Sequence, residues 1–322
     1  MMYFLGCDVS KRKVDVSLVD ERGVELFVDK VPNTATDIAS LLLTLSGNYP
    51  ESEIRCVVES TGCYHHPVTE AATAVGMSCQ VYNPIITKQQ IKATVRGKKT
   101  DRTDALIIAR LGLRGEGLLY TPEPYMTAKY YARGQQKLGQ LGGAYKLYEA
   151  HLTSLLADEL SPEVLAALEQ IQAAIRLAKH QLAADTVAAA PKDLVGLLKT
   201  IPGVGPYVAS SLIGEIQVMK RFKTAKALTA YAGLDPKIRQ SGHTLNSTGR
   251  LTKRGSSYLR RSIFIAASVA RQHDPNFKAL YDKKRGEGKS YTVAVCVVAR
   301  KLLAIVRAVW LSGSPYDVEQ AH

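Results

Sequence analysis

Alternating and clustered apolar positions divide the chain into a first third of strands and helices and a helical remainder. Tyr3–Val9 is a short apolar run, and Lys13–Asp20 alternates with Val14, Val16 and Leu18 on one face, so both read as strands. Glu21-Arg22-Gly23 has turn chemistry, and Val24–Val28 resumes as a third short strand. Thr34–Ser46 carries Ile38, Leu41, Leu42 and Leu45 at helical spacing. Beyond it the pattern predicts a strand over Ile54–Glu59, a helix over His66–Val75 and a strand over Ser78–Tyr82. Helices follow over Pro84–Thr94 and Thr103–Leu113. Residues 125–195 hold no convincing strand; Ser161-Pro162 and Pro191 break this Ala-, Leu-, Gln- and Tyr-rich stretch into two long helices. Leu165, Leu168, Ile171, Ile175 and Leu182 mark the second of them. From Leu194 the pattern gives helix, glycine turn, helix, an irregular basic loop, and helices at Ser256–Gln272 and Thr292–Leu311.

The order β-β-β-α-β-α-β-α predicts an α/β domain over residues 1–120, a ribonuclease-H-like mixed sheet with helices on both faces. A helical hairpin or coiled-coil arm over 121–195 and a mainly helical domain over 196–322 complete the expected organisation. Composition agrees with a globular protein, since 46% of the 322 residues are hydrophobic and 22% charged. The longest apolar stretches, such as Val293–Ala299, stop far short of the roughly 20 residues a bilayer span needs. The opening Met1-Met2-Tyr3-Phe4-Leu5-Gly6-Cys7-Asp8 lacks a charged leader and reads as no signal peptide. Five cysteines without paired spacing argue against a disulfide scaffold and fit a reducing cytoplasm.

The formal charge of +13 is confined to one region. Residues 1–120 hold 14 cationic and 14 acidic side chains and residues 121–195 hold 7 and 8, whereas residues 196–322 hold 21 and 7. A region this basic is an electrostatic footprint for a polyanion, with a merely solubilising surface as the alternative. A membrane surface fits less well, because no strongly apolar helical face accompanies the charge.

Four carboxylates stand where chemistry is expected. Asp8 ends the first strand and Glu59 the fourth, and in the predicted fold these strands are neighbours. Asp101 and Asp104, at i and i+3 of a helix start, project from one face. Four acids at one point repel unless a cation joins them, and hard oxygen donors suit Mg²⁺ or Mn²⁺ better than zinc. Asp101 alone also fits a helix N-cap. Lys98, Lys99 and Arg102 make the approach to these acids cationic, which suits a backbone phosphate.

Ile201-Pro202-Gly203-Val204-Gly205 between two helices resembles a helix-hairpin-helix, whose turn amides at Gly203 and Gly205 and following helix start hold a phosphate; a plain interhelical turn is the alternative. Lys237, Arg239, Arg250, Lys253, Arg254, Arg260 and Arg261 punctuate the later loop and helix as further phosphate-holding cations. Ser241-Gly242 presents a hydroxyl among them; composition alone reads it as a loop hydroxyl or cap, because serine is a weak nucleophile without help. Cys63, His65 and His66 lack a second ligand pair at zinc-finger spacing. Gly203-Val204-Gly205 completes no nucleotide-binding loop, so no ATP requirement is expected.

Several short motifs together resemble one family. They are Gly6-Cys7-Asp8-Val9-Ser10-Lys11, Glu59-Ser60-Thr61-Gly62-Cys63-Tyr64, Asn83-Pro84 and Lys99-Thr100-Asp101-Arg102-Thr103-Asp104-Ala105 in the first half. In the second half stand the glycine hairpin, Ala232-Gly233-Leu234-Asp235-Pro236, Ser241-Gly242 and Lys253-Arg254-Gly255-Ser256-Ser257-Tyr258-Leu259-Arg260-Arg261. The chain resembles the DEDD-type transposases of insertion sequences that move without terminal inverted repeats, relatives of the Piv-type DNA invertases. That resemblance implies a RuvC-like first domain, a coiled-coil arm and a C-terminal transposase domain. It implies Asp8, Glu59, Asp101 and Asp104 as the acidic tetrad and Ser241 as the nucleophile. It also implies donor and target DNA chosen by a bridge RNA, and a dimer or tetramer in which the acids of one subunit meet the serine of another. Two other readings remain at this level. One is a RuvC-like metal-dependent endonuclease on branched DNA with water as nucleophile; the other is a non-catalytic nucleic-acid-binding protein.

Overall fold

The computed structural model describes residues 1–60, 62–84, 86–87, 89–90, 101–115, 117–156, 159–235 and 251–318, with Asp101, Arg102 and Leu118 described by backbone alone. The chain separates into two compact units, Met1–Pro122 and Glu123–His322. The expected arm and the expected basic domain both fall in the second.

The first unit opens with strands β1 (Met2–Val9), β2 (Lys13–Val19) and β3 (Glu25–Pro32). Helix α1 (Ala35–Asn48) follows, started by Thr34, whose hydroxyl accepts from the Asp37 amide. Then come β4 (Glu53–Glu59), α2 (His66–Ala74), β5 (Cys79–Tyr82), α3 (Asp101–Gly112) and β6 (Leu118–Leu119). The sheet order is β3-β2-β1-β4-β5-β6. β1 runs antiparallel to β2 and parallel to β4, and β4 is parallel to β5, which makes this the ribonuclease-H-like mixed sheet. Leu5, Cys7, Cys56 and Val58 pack one face under Leu42 of α1 and Ala72 of α2, while Phe4, Val57 and Tyr82 meet Ile108 and Leu111 of α3 on the other.

Two elements differ from expectation. β3 is longer than Val24–Val28, because pairing continues to Lys13↔Pro32 along the full length of β2 although its own residues are largely exposed. β6, unforeseen, pairs antiparallel with β5. Of the helix expected over Pro84–Thr94, positions 84, 86, 87, 89 and 90 are helical, and 85, 88 and 91–94 lie outside the described residues.

The second unit is helical among its described residues. α4 (Met126–Leu156) and α5 (Pro162–Ala188) form the expected hairpin, with Ser161 capping α5 through the Val164 amide. α6 (Lys192–Leu198), α7 (Pro206–Ile216), α8 (Ala225–Tyr231), α9 (Ser257–His273), α10 (Pro275–Gly286) and α11 (Tyr291–Ser312) follow. Leu198, Ile213, Ile263 and Leu302 lie in one apolar core. Glu215, 1% exposed, accepts from Arg133 Nε and Nη2 at 2.6 and 3.0 Å and from the Ser256 hydroxyl at 2.7 Å, tying α4, α7 and the start of α9 together. Burial lowers the Arg133 pKa but is outweighed by its hydrogen bond and charge pairing with Glu215, which leave it raised.

Candidate active site

Register and side-chain alternation place the acids. The last β1–β4 pair is Cys7↔Val58, so Asp8 stands beside Glu59 on parallel strands about 4.8 Å apart. Phe4, Gly6 and Asp8 share one face of β1, as Val57 and Glu59 share that of β4. Helix α3 crosses the same face. A Cβ on Gly6 would lie 2.2 Å from the Ala105 carbonyl and 2.3 Å from the Ala109 amide, so only glycine lets this helix sit on the strand. Further along, a Cβ on Gly112 would meet Phe4 at 2.5 Å and Val57 at 2.7 Å. The helix therefore runs opposite to β1, and its first turn, with Asp101 and Asp104, lies at the Asp8 end. The Tyr82 hydroxyl locks this crossing by donating to the Leu111 carbonyl at 2.8 Å.

Asp104 is 8% exposed, while Asp8 and Glu59 are half-buried. The Asp101 backbone begins α3, and its side chain lies outside the described residues. Among the described residues, no three His, Cys, Asp or Glu side chains form a group able to hold a metal ion. Asp8, Glu59 and Asp104 thus share one face and one end of the sheet without closing into such a group, and their carboxylate oxygens are donors of the kind a hard divalent cation takes. Behind them, on the opposite face, burial pushes the Cys7 thiol up, with Cys56, Cys79 and the Asp8 charge adding to the shift. Sequence reading missed Thr87, fully buried, whose hydroxyl donates to Glu59 Oε2 and to the Pro84 carbonyl at 3.1 Å.

The second half is placed in part. Lys98, Lys99, Lys237, Arg239, Ser241 and Arg250 lie outside the described residues, and Arg102 is described by backbone alone. The segments flanking 236–250 are joined: the Thr252 amide donates to the Asp235 carbonyl at 2.8 Å and the Ser256 amide to the Tyr231 carbonyl at 2.8 Å. Arg260 donates to the Ala232 carbonyl at 2.9 Å across the same junction. Lys253, at φ 52, and Arg254 are exposed beside it, and Arg261 is exposed on α9. Gly203, at φ +81, is required by packing: a Cβ there would stand 2.3 Å from the Ala266 carbonyl. Gly205 caps α7 and its Cβ position is open. The His65 and His66 rings lie 4.3 Å apart.

A sheet of this order, with acids at the adjoining ends of its parallel central strands, defines a ribonuclease-H-like protein. Two family profiles match the chain, a DEDD transposase profile of the IS110 type over residues 5–128 and the transposase IS116/IS110/IS902 family over residues 195–282. Between them they take in more than half of the chain, which belongs to this family of transposases. It is 24% identical to the pilin gene-inverting protein of Moraxella bovis over 98% of its own length and 97% of the relative's. It is 25% identical to the transposase for insertion sequence element IS1111A of Coxiella burnetii over 97% of this chain and 90% of that one. The T. thermophilus RuvC in complex with a Holliday junction substrate matches 37% of this chain and all of its own at a TM-score of 0.30 and 16% identity. Among the described residues no helix is long and apolar enough to cross a membrane.

Proposed function

We propose that this transposase cuts and rejoins DNA through a serine–DNA covalent intermediate, with Asp8, Glu59, Asp101 and Asp104 holding Mg²⁺ or Mn²⁺ and Ser241 as nucleophile. The observation that carries this reading is the shared face and shared end of Asp8, Glu59 and Asp104 beside the start of α3. A bound divalent ion supplies charge neutralisation of the scissile phosphate and stabilisation of the departing 3′ oxygen. The Ser241 hydroxyl attacks phosphorus; a P–O bond to serine forms as the bond to the 3′ oxygen breaks, and the serine's proton ends on that oxygen. The phosphodiester is conserved throughout, so attack by a 3′ hydroxyl reseals the strand without ATP. Lys98, Lys99, Arg102, Lys253, Arg254 and the cations of 237–250 hold backbone phosphates, adding affinity without reading sequence.

Guidance by a bridge RNA is supported by the motif resemblance. Assembly into a dimer or tetramer is supported by the hairpin, where Leu141, Tyr148 and Leu155 repeat every seven residues along α4 and are 50%, 60% and 68% exposed. Trapping the protein on a DNA substrate in denaturing gels tests the chemistry. A covalent adduct that disappears in Ser241→Ala and in Asp8→Asn is expected. Cleavage that persists in Ser241→Ala without any adduct would establish water as the nucleophile instead.

A further inference from the structure

The hairpin of the second unit carries a cleft that none of the proposed chemistry uses. Where α4 meets α5, Gly139, Gly142 and Gly143 form its floor and Lys146, Arg176 and Lys179 its rim, enclosing about 200 Å³. Arg261 reaches the same place from α9: a Cβ built on Gly139 would lie 3.8 Å from Lys179 Nζ and 4.0 Å from Arg261 Nη2. Two cations from two helices thus face one point. Among the described residues, none of Lys146, Arg176, Lys179 or Arg261 has an ion-pair partner. Like charges gathered over bare backbone repel until an anion joins them.

The glycines sharpen the point. A Cβ on Gly143 would meet nothing within 4 Å, and one on Gly139 only the ends of those two cationic chains. Packing within the chain therefore demands glycine at neither position, although glycine weakens a helix interior. Only Gly142 is crowded, by Ile175 Cγ2 at 3.0 Å. The heptad stripe of Leu141, Tyr148 and Leu155 lies on the opposite side of α4, about half a turn away at 3.6 residues per turn. Self-association through that stripe leaves the cleft open.

We propose that this cleft is a second DNA-holding surface that takes the phosphate backbone of a double-stranded segment. Its rim offers charged ends and, beyond Gln172 and the Tyr145 hydroxyl already given to the Leu168 carbonyl, no polar group for a base edge. From Gly139 to Lys146 the helix advances about 10 Å at ~1.5 Å per residue, the axial length of roughly three successive phosphates on one duplex strand. A second copy docking here face to face would set these cations against one another.

The inference rests on the chain acting on DNA and not on Ser241 or the acids. Failure of the proposed chemistry shows in cleavage, and failure of the cleft shows in binding. The full-length chain is titrated with a labelled DNA duplex and with a single-stranded RNA of equal length across a salt series. Lys146→Gln/Arg176→Gln/Lys179→Gln is expected to weaken duplex binding on the order of 100-fold and to flatten the salt slope by about 2 to 3. Gly143→Leu, which keeps every charge and fills the cleft, is expected to weaken duplex binding about tenfold, with an unchanged circular dichroism spectrum and unchanged mass in solution. Wild-type duplex affinity in both variants would overturn the assignment. So would a loss confined to RNA, or a lower oligomer mass in Gly143→Leu.

Discussion

The Thr87 hydroxyl, on a side chain with no exposed surface, donates to one oxygen of Glu59 and so contributes to where that carboxylate points. Groups that orient a metal-holding carboxylate without touching the metal are worth about 10- to 100-fold in affinity or activity. Thr87→Val is therefore expected to raise the Mg²⁺ concentration for half-maximal cleavage about tenfold, and Thr87→Ser to restore it. An unchanged metal requirement in Thr87→Val would show that Glu59 needs no such support. Asp8 and Glu59 stand out in the sequence because a charge that closes an apolar run has no packing reason to be there, and Asp104 because it shares a helix face with Asp101. Thr87 was not, because a hydroxyl within a helical pattern looks the same whether it meets solvent, a carbonyl or a carboxylate. Arg260 and Gly203 show the converse. Both were read as phosphate contacts, and the structure also gives each a local duty, Arg260 at the Ala232 carbonyl and Gly203 against α9.

Strand β1 and helix α3 form the junction on which the site depends, and Gly6 is its tightest point. Gly6→Ala is expected to destabilise the chain by about 1–3 kcal/mol, because the methyl group would meet backbone atoms of α3 that cannot move alone. Gly47→Ala, near the end of α1 with nothing within 4 Å of its Cβ, is expected to be neutral or stabilising by up to about 1 kcal/mol. Urea denaturation of the two variants separates these outcomes, and equal stability would mean that α3 is not seated on β1. On the other face, burial pushes the Cys56 thiol up to about 12 and also raises Cys7 and Cys79. The folded chain thus keeps protons that the unfolded chain releases above about pH 8.5. The stability linked to these thiols is complete below that pH and is lost as pH climbs toward about 12. Melting temperature is expected to fall across this window, and less steeply in Cys56→Val; an identical slope in the variant would contradict the linkage.

The long elements were readable because burial imposes a period: β1, β2, β4, α1, α9 and α11 each bury a face that the apolar spacing announces. What escaped reading was short or governed by a partner. β6 has two residues and exists through its pairing with β5, α8 has seven residues, and α10, although 12 residues long, buries Phe277 alone and so shows little apolar spacing.

At the scale of the molecule, charge and fold divide the labour. The first unit carries balanced charge and the acids on a mixed sheet, while the excess of cations lies wholly within residues 196–322 of the helical second unit. The four acids therefore lie in the unit of balanced charge, and the excess of cations lies in the other. The family profiles follow the same division, one covering the acids and the other the glycine hairpin with the basic segment. Calorimetric titration of Mn²⁺ into the full-length chain tests the account at its centre. Saturable binding is predicted for the wild type, weakened about tenfold or more in each of Asp8→Asn, Glu59→Gln and Asp104→Asn while their melting temperatures hold. Equal Mn²⁺ affinity in all four proteins would mean that these carboxylates share a face without sharing an ion.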